Sequence, residues 1–327
     1  MNMTAKNIDL ELLLARMSDR EREIDPQLPV RSLNPGDAVV RRAGSGNTDH
    51  ALAVSRETVL TASDPDAIWG PLVTSSLELR WDGDEAAAGT LLREWVADTA
   101  PRLGEDGDWE TCLSVRVPSR DSGLVRPLLS QGFACVDVTG IRVGARGVAE
   151  SEAEARLRAG GVTLRLATPA DAPLLGVLDS ELLAHDAQHG GLADRPGAAA
   201  ILQVGIEVRI AIDPEWTWVI EQRGEAVGYL SIELNRERHL QACAQGGGVA
   251  FIQAMYLRPT VRGGGIGEAV VEFAHARIEA EGFDRILLGY ASQNPRSGPF
   301  WCRMGYRPLW SGWQRRPGRP AGTTVTR

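Results

Sequence analysis

The sequence predicts an α/β chain with α+β mixed sheets, built as two similar domains in tandem. Three observations predict it. A mostly apolar run over residues 250–257 is followed by a glycine-rich loop and by a helix-period segment over 268–280. The stretch Pro127-Leu128-x-x-Gln131-Gly132-Phe133 is echoed by Phe300-Trp301-x-x-Met304-Gly305-Tyr306, and residues 76–97 stand where the 250–257 strand and its helix stand later. Finally, 327 residues at 43% apolar content suffice for two cores.

In chain order, residues 8–22 read as a charged amphipathic helix inside an N-terminal extension, 1–37. Asn34-Pro35-Gly36-Asp37 marks a turn before a strand at 38–41. A loosely patterned stretch leads to a strand at 76–81, and a helix over 84–97 presents Leu91, Leu92, Trp95 and Val96 on one face. Residues 111–117 are strand-like, 121–130 form a short helix interrupted at Pro127, and 134–138 are a strand, so the first domain is expected over 38–144. Residues 145–161, rich in Gly, Ala, Glu and Arg with one short helical patch, read as a linker.

The second domain is expected over 162–314. It opens with the strand Leu164-Arg165-Leu166, after which Thr168 caps and Pro169 begins a helix that turns Leu174, Leu175, Val177 and Leu178 inward. Residues 216–222 and 226–234, joined by the turn Arg223-Gly224-Glu225, form a hairpin. The strand at 250–257, the glycine loop, its helix and a strand at 285–290 complete the order. Residues 315–327 are basic and rich in Pro, Gly and Thr, a flexible tail rather than a nucleic-acid arm.

A formal charge of −8 argues against a general nucleic-acid or anionic-membrane surface and suits a cationic substrate. Lys6 is the only lysine among 35 basic residues, a mark of coding bias rather than of chemistry. Cys112, Cys135, Cys243 and Cys302 show no metal-ligand spacing and read as free thiols of a reducing compartment. No run approaches the roughly 18 apolar residues of a membrane span, and the first thirty residues lack a signal-peptide plan. A cytoplasmic protein is expected.

The loop Arg262-Gly263-Gly264-Gly265-Ile266-Gly267, set between strand and helix, is a phosphate cradle: glycines bring backbone N–H groups close to an anion, and the helix adds the positive end of its dipole. A Walker loop would need Gly-Lys-Ser/Thr, and a dinucleotide fold a Gly-x-Gly-x-x-Gly turn with an acidic residue on the next strand; neither fits. Leu257-x-Pro259-x-x-Arg262-x-x-Gly265-x-Gly267 resembles the coenzyme A pyrophosphate loop of the GNAT superfamily of acyl-CoA-dependent N-acetyltransferases. Asn294-x-x-Ser297-x-x-Phe300-Trp301-x-x-x-Gly305-Tyr306 resembles the family's second signature, in register. The resemblance implies two GNAT-like domains in tandem. In the first, Trp81-Asp82-Gly83-Asp84-Glu85 sets three carboxylates where a pyrophosphate would sit, so that half is degenerate and one CoA site per chain is expected.

The resemblance further implies transfer of an acetyl group from acetyl-CoA, the cosubstrate, to a primary amine of a small molecule by direct attack, with no metal. Met255 would offer its N–H to the thioester oxygen, and Leu257 would pair with pantetheine. Arg262 would order the loop around Gly263, Gly264, Gly265, Ile266 and Gly267, with Asn294, Ser297 and Trp301 also on the cofactor side. Gln253 stands where the family often has a glutamate base; an amide cannot take a proton at neutral pH, although it can hold a water or orient an amine. Trp301 stands where the family has an acid tyrosine, so Glu233 and Tyr290 become the substitute candidates. His185 and Asp186, with His189 nearby, fall where such a domain lines its acceptor pocket. Trp216, Trp218, Trp301, Trp310 and Trp313 serve the core, and some could wall an acceptor cleft. A catalytically weak acyl-CoA sensor or assembly module and a protein N-acetyltransferase are the alternatives. Neither nucleic acid nor membrane is expected as a partner, and a homodimer is left open.

Overall fold

Two segments of alternating hydrophobicity, each followed by a helix and a parallel strand, organise the chain in the computed structural model, which describes residues 2–32, 38–45, 48–144, 149–234, 243–246 and 248–320. The chain divides into two compact units. Unit 1 comprises Met1–Val138, Ala242–Gln245 and Pro308–Arg327; unit 2 comprises Thr139–Gln241 and Gly246–Arg307.

In unit 1, helix α1 (Asn2–Ile24) precedes β1 (Val39–Ser45), β2 (Thr48–Val59), β3 (Val73–Trp81), α2 (Glu85–Thr99), β4 (Thr111–Pro118) and α3 (Val125–Ser130). β1, β2 and β3 run antiparallel, and β3 pairs parallel with β4. Strand alternation sends Ala51 and Ala53 of β2 into the core formed with Leu91, Leu92 and Trp95 of α2, while Leu52 and Val54 pack on Leu13 and Met17 of α1. The β1–β2 hairpin falls where the sequence is loosely patterned, because only the middle of β2 is buried and its last four residues are exposed. α3 runs through Pro127, its third residue, where a missing N–H removes no intrahelical bond.

In unit 2, α4 (Glu150–Ala159), β6 (Val162–Leu166), α5 (Ala172–Asp186), α6 (Ala198–Ile212), β7 (Thr217–Gln222), β8 (Glu225–Leu234), β9 (Val249–Leu257), α7 (Ile266–Ala280), β10 (Arg285–Ala291) and α8 (Ser297–Arg303) follow in order. β6 to β9 form an antiparallel run, and β9 pairs parallel with β10. One core packs Val270, Val271, Phe273 and Ile278 of α7 on Trp218, Leu230, Ile252 and Leu288 of the sheet; the opposite face packs α5 and α6 on Val219, Tyr229, Ala254 and Tyr256. The stretch read as a linker contains α4, whose Ala153 and Leu157 are buried in the α7 core. α6 answers to no expected element, although Ala198, Leu202, Ile206 and Ile210 recur every fourth residue and are buried.

The two units thus repeat one plan: antiparallel strands, a loop, a helix, a parallel strand and a short helix. Their last strands are exchanged. β5 (Ala134–Val143) begins in unit 1, but its residues from Thr139 onward belong to unit 2, beside β10. β11 (Arg307–Arg315) pairs antiparallel with β4 from Trp310↔Pro118 to Arg315↔Leu113, and Trp313 is buried among the side chains of α2 and β4. The sequence-based range 162–314 for the second domain took in residues 308–314, which belong to unit 1. Among the described residues no helix is long and apolar enough to cross a membrane.

Candidate active site

β9 positions most of the candidate site, and a bulge decides which way its side chains face. Ser231 of β8 pairs with Ala254 but its neighbour Ile232 pairs with Ile252, so Gln253 is an extra residue on β9. Ala250 and Ile252 face the α7 core before the bulge; after it Met255 and Leu257 do so, while Ala254 and Tyr256 turn to α5 and α6. On the other side, pairing with β10 ends at Ile252↔Leu288, so among the described residues 253–257 have no strand partner there. The splay and the bulge coincide at Gln253, two residues before Met255.

Beyond Leu257 the chain makes a short 3-10 turn over Pro259–Val261 and extends at Arg262. Gly263 and Gly265 adopt φ of 89° and 81°, a region costly for residues with a Cβ. Gly265 caps α7 without a side-chain bond, leaving the N–H groups of the first turn to external partners. A Cβ on Gly263, Gly264 or Gly265 would meet nothing within 4 Å, so these glycines do not serve packing within the protein. The Arg262 side chain turns back from the loop: its Nε donates to the Leu257 carbonyl at 2.7 Å, and its guanidinium lies 5.4 Å from the Tyr256 ring centre. Met255 Cε and the Phe300 ring lie 3.4 to 3.6 Å from where a Cβ on Gly267 would stand. A cleft of about 270 Å³ adjoins the loop, lined by Gly264, Gly265 and Ile266 and by Arg156 and Leu157 of α4.

The sequence-expected chemical residues separate into two groups. Gln253, exposed on the bulge, donates its amide N–H to the Glu233 carboxylate on β8, so these two candidates form one pair. The Tyr290 ring packs between Gly140 and Gly298 at the end of β10. Trp301 is buried, stacked edge-on against Phe300 and Tyr306, and acts as a core residue of α8.

The second group spans α5 and the β10–α8 loop. Asn294 is buried; its Oδ1 accepts from the N–H groups of Arg296 and Ser297 at 3.0 and 3.2 Å, and its Nδ2 donates to Asp186 Oδ1 at 3.1 Å. Ser297 therefore enters the arrangement through its backbone, as the first residue of α8. Burial pushes the Asp186 carboxyl above its ordinary value, offset only in part by the Asn294 bond and by His185, His189 and Arg262. Burial also lowers His185, whose ring meets that of His189 edge-on at 5.1 Å between centres. Among the described residues no group of three or more metal-ligating side chains converges.

Two polar systems behind β8 and β9 had no sequence signal beyond acids on the otherwise apolar face of α5. Tyr229 donates to buried Asp179, with Arg209 3.8 Å from that carboxylate and 3.2 Å from Ser231 Oγ. Glu181 accepts from Tyr256 Oη at 3.0 Å and from Arg258 at 3.2 Å, fixing the strand that leads into the glycine loop.

Unit 1 shows what became of the equivalent loop. Asp84 caps α2 with its own carboxylate, accepting from Ala87 N at 3.0 Å. Asp82 is taken by Arg16 at 2.7 Å and His50 at 2.9 Å; burial pushes its carboxyl up, but these bonds outweigh that and hold it below the ordinary value. Arg20 of α1 lies 3.7 Å over the Trp81 ring and binds Asp121 through two bonds of 2.7 and 2.8 Å, while Trp81 Nε1 donates to the same carboxylate at 3.0 Å. Both aspartates of the loop, Asp82 and Asp84, are thus engaged with the protein's own atoms.

Residues 195–306 match the acetyltransferase (GNAT) family model. The chain carries a GNAT domain. No curated protein shows significant sequence similarity to it. Solved structures resemble it in fold. The GCN5-related N-acetyltransferase from Sphaerobacter thermophilus is 13% identical with a TM-score of 0.56, over 96% of this chain and 93% of that one. A GNAT-family acetyltransferase from Colwellia psychrerythraea is 10% identical at 0.50, over 92% and 96%. A GCN5-related glucosamine N-acetyltransferase region of a fungal multi-domain β-N-acetylglucosaminidase is 13% identical at 0.50, over 83% of this chain and 32% of that one. With the repeated plan of the units, this makes the fold two GNAT-like domains in tandem. The GNAT match begins after α5, so His185 and Asp186 lie outside it.

Proposed function

We propose that the GNAT domain transfers the acetyl group of acetyl-CoA to a primary amine of a small molecule. The observation that carries this reading is the glycine loop: open space at three consecutive glycines, an uncapped helix start and a splayed strand edge adjoin one another. These features fit a diphosphate followed by an extended pantetheine arm, with backbone N–H groups of residues 263–267 on the diphosphate and the β9 edge on the arm. When bound, acetyl-CoA supplies a thioester whose carbonyl carbon takes the amine and whose thiolate leaves. The chain's own contribution would be the Met255 N–H as donor to the thioester oxygen, beside a Glu233 carboxylate that accepts from the Gln253 amide. Gln253 cannot take the amine proton, so the amine reaches the thioester neutral or gives its proton to Glu233 or solvent.

Release of thiol from acetyl-CoA, measured across polyamines, amino acids and aminosugars, tests the reading; the fungal region, a glucosamine N-acetyltransferase, motivates the last class. Amine-dependent release is the expected result, and tight acetyl-CoA binding without release for any amine refutes it. The second outcome would favour an acyl-CoA-binding module, a reading supported by Gln253 and buried Trp301 at the two positions where the family resemblance implies acid–base groups. A cytoplasmic location accompanies either reading as part of the proposal.

A further inference from the structure

We propose that Arg209 and Ser231 are positioning residues for the Met255 N–H. With Thr217, Asp179 and Tyr229 they form one polar chain that holds the bulge of β9 in the phase that leaves this donor free. The inference rests on the transferase reading above, in which that N–H meets the thioester oxygen.

Two backbone bonds fix the phase of the strands. Ile232 N–H donates to the Trp216 carbonyl, next to β7, at 2.9 Å, and Arg258 N–H donates to the Val227 carbonyl of β8 at 2.8 Å. Backbone groups of successive residues alternate in direction along a strand, so Ser231 turns its own toward β9, while Ala254 and Tyr256 turn theirs toward β8. Met255 and Leu257 therefore direct their N–H and carbonyl groups away from β8, to the side where pairing with β10 has ended at Ile252↔Leu288. The Leu257 carbonyl, taken by Arg262 Nε, lies on that side too. A slip of one residue would undo the arrangement. Without the bulge, the pair Ile232↔Ile252 would be followed by Gln253 opposite Ser231 and Met255 opposite Tyr229, and the Met255 N–H would be spent on β8.

Ser231 is the residue of β8 at which the register shifts, and its side chain is gripped from two elements. It is 1% exposed; its Oγ accepts from Arg209 Nη1 of α6 at 3.2 Å and lies 3.2 Å from Thr217 Oγ1 of β7. Arg209 Nη2 stands 3.8 Å from Asp179 Oδ2 of α5, and Tyr229 donates to Asp179 Oδ1. Ser231 and Tyr229 are the residues opposite Ala254 and Tyr256, so the polar chain holds the β8 partners on both sides of Met255. It does so on a face otherwise built from side chains such as Leu175, Leu178, Ile206 and Val219. Burying polar and charged groups there costs desolvation that apolar side chains of similar volume would avoid. What the polar groups add is direction: a hydroxyl gripped by a guanidinium specifies which residue of β8 sits at the bulge.

Asp179→Asn combined with Arg209→Met removes both charges at once and keeps an acceptor for Tyr229, so no buried charge is stranded and Tm should stay near that of the parent. In the full chain this double variant should leave acetyl-CoA affinity within about twofold by calorimetry. It should lower kcat for the preferred amine about tenfold or more, with a small change in amine KM, because the donor is misplaced. Arg209→Met alone should lose kcat likewise, and Arg209→Lys, which keeps a donor for Ser231, should recover part of it. NMR of the isotope-labelled methionine amides reads the donor itself, with Met255 assigned by Met255→Leu. In the parent its amide should shift more with acetyl-CoA than with CoA, which lacks the thioester carbonyl; in the double variant that difference should vanish. Parent-like kcat and a parent-like Met255 response in the double variant would overturn the proposal. So would a fall in kcat matched by equal losses of acetyl-CoA affinity and Tm, which would make the polar chain a support of the fold alone. A Met255 response to acetyl-CoA with no amine acetylated would sink the transferase reading and leave the positioning of the N–H standing. Binding of acetyl-CoA and CoA with equal shifts at Met255 in the parent would overturn the positioning and leave the transferase reading to its own test.

Discussion

Arg262 donates through Nε to the carbonyl of Leu257 at 2.7 Å, so the side chain that opens the glycine loop is anchored to the end of the strand before it. Cutting the anchor should loosen the loop without touching the core. Arg262→Met is expected to weaken acetyl-CoA binding about tenfold, or about 1.4 kcal/mol, with a small change in Tm. Calorimetric titration beside a thermal melt checks this; unchanged affinity would show that the loop orders itself.

Gly264 is the cleaner position at which to block the phosphate cradle, since it has open space and lacks the positive φ of its two neighbours. Gly264→Glu should abolish measurable acetyl-CoA binding by bringing a carboxylate against the diphosphate, while Gly264→Ala retains most of it. Both should melt near the parent temperature. Gly265→Ala, at φ 81°, should by contrast lose about 1 kcal/mol of stability.

Glu233→Gln tests how much proton transfer matters. If the site works mainly by orienting a neutral amine, kcat should fall by less than the roughly 100-fold expected for loss of a general base. A larger fall at unchanged acetyl-CoA affinity would make Glu233 the base. Trp301→Tyr should lower Tm and leave kcat no higher, because the indole is packed against Phe300 and Tyr306 and a smaller ring leaves a void there.

In unit 1, Arg20→Ala strands a carboxylate, Asp121, whose side chain is only 4% exposed. A loss of about 3 kcal/mol in unfolding free energy is expected from removing one partner of such a pair. The stoichiometry of acetyl-CoA should stay at one per chain in parent and variant alike, since Asp82 and Asp84 remain in the loop. Two equivalent sites in the parent would contradict the reading of unit 1 as unable to hold a diphosphate.

The raised carboxyl of Asp186 has a stability signature. The folded chain holds that proton more tightly than the unfolded one, so the group favours folding below its unfolded pKa and loses that contribution as pH rises through the folded value. Asp186→Asn should therefore raise Tm at pH 7 to 8, and the gain should vanish as pH falls to about 4. An equal gain at both ends of that range would assign the effect to packing.

What the sequence disclosed was local. Gly263 to Gly267 announce themselves because the loop, the strand before it and the helix after it are contiguous, and Gly132-Phe133 and Gly305-Tyr306 mark the repeat for the same reason. The bulge had no such mark, since the run 250–257 is apolar on both faces and only burial shows the inward parity passing from Ala250 and Ile252 to Met255 and Leu257. What stayed hidden was joined across distance. Asp186 meets Asn294 from 108 residues away, and Arg20 meets Asp121 from 101, with no pattern in either segment to name its partner. Trp301, which stands where the family resemblance implies an acid tyrosine, packs its large apolar ring in the core.

The exchanged final strand reaches beyond geometry to the order in which this protein can be made. Unit 1 has its first four strands and α2 in hand long before β11 is synthesised, yet among the described residues the edge of β4 away from β3 is paired by residues 310–315. During translation that edge, with its unpaired backbone groups, waits for nearly two hundred residues of intervening chain. A nascent chain stalled before Trp310 would present an open strand of its own repeat family to its neighbours. The exchange therefore makes unit 1, which begins the chain, the last part of the molecule to be finished.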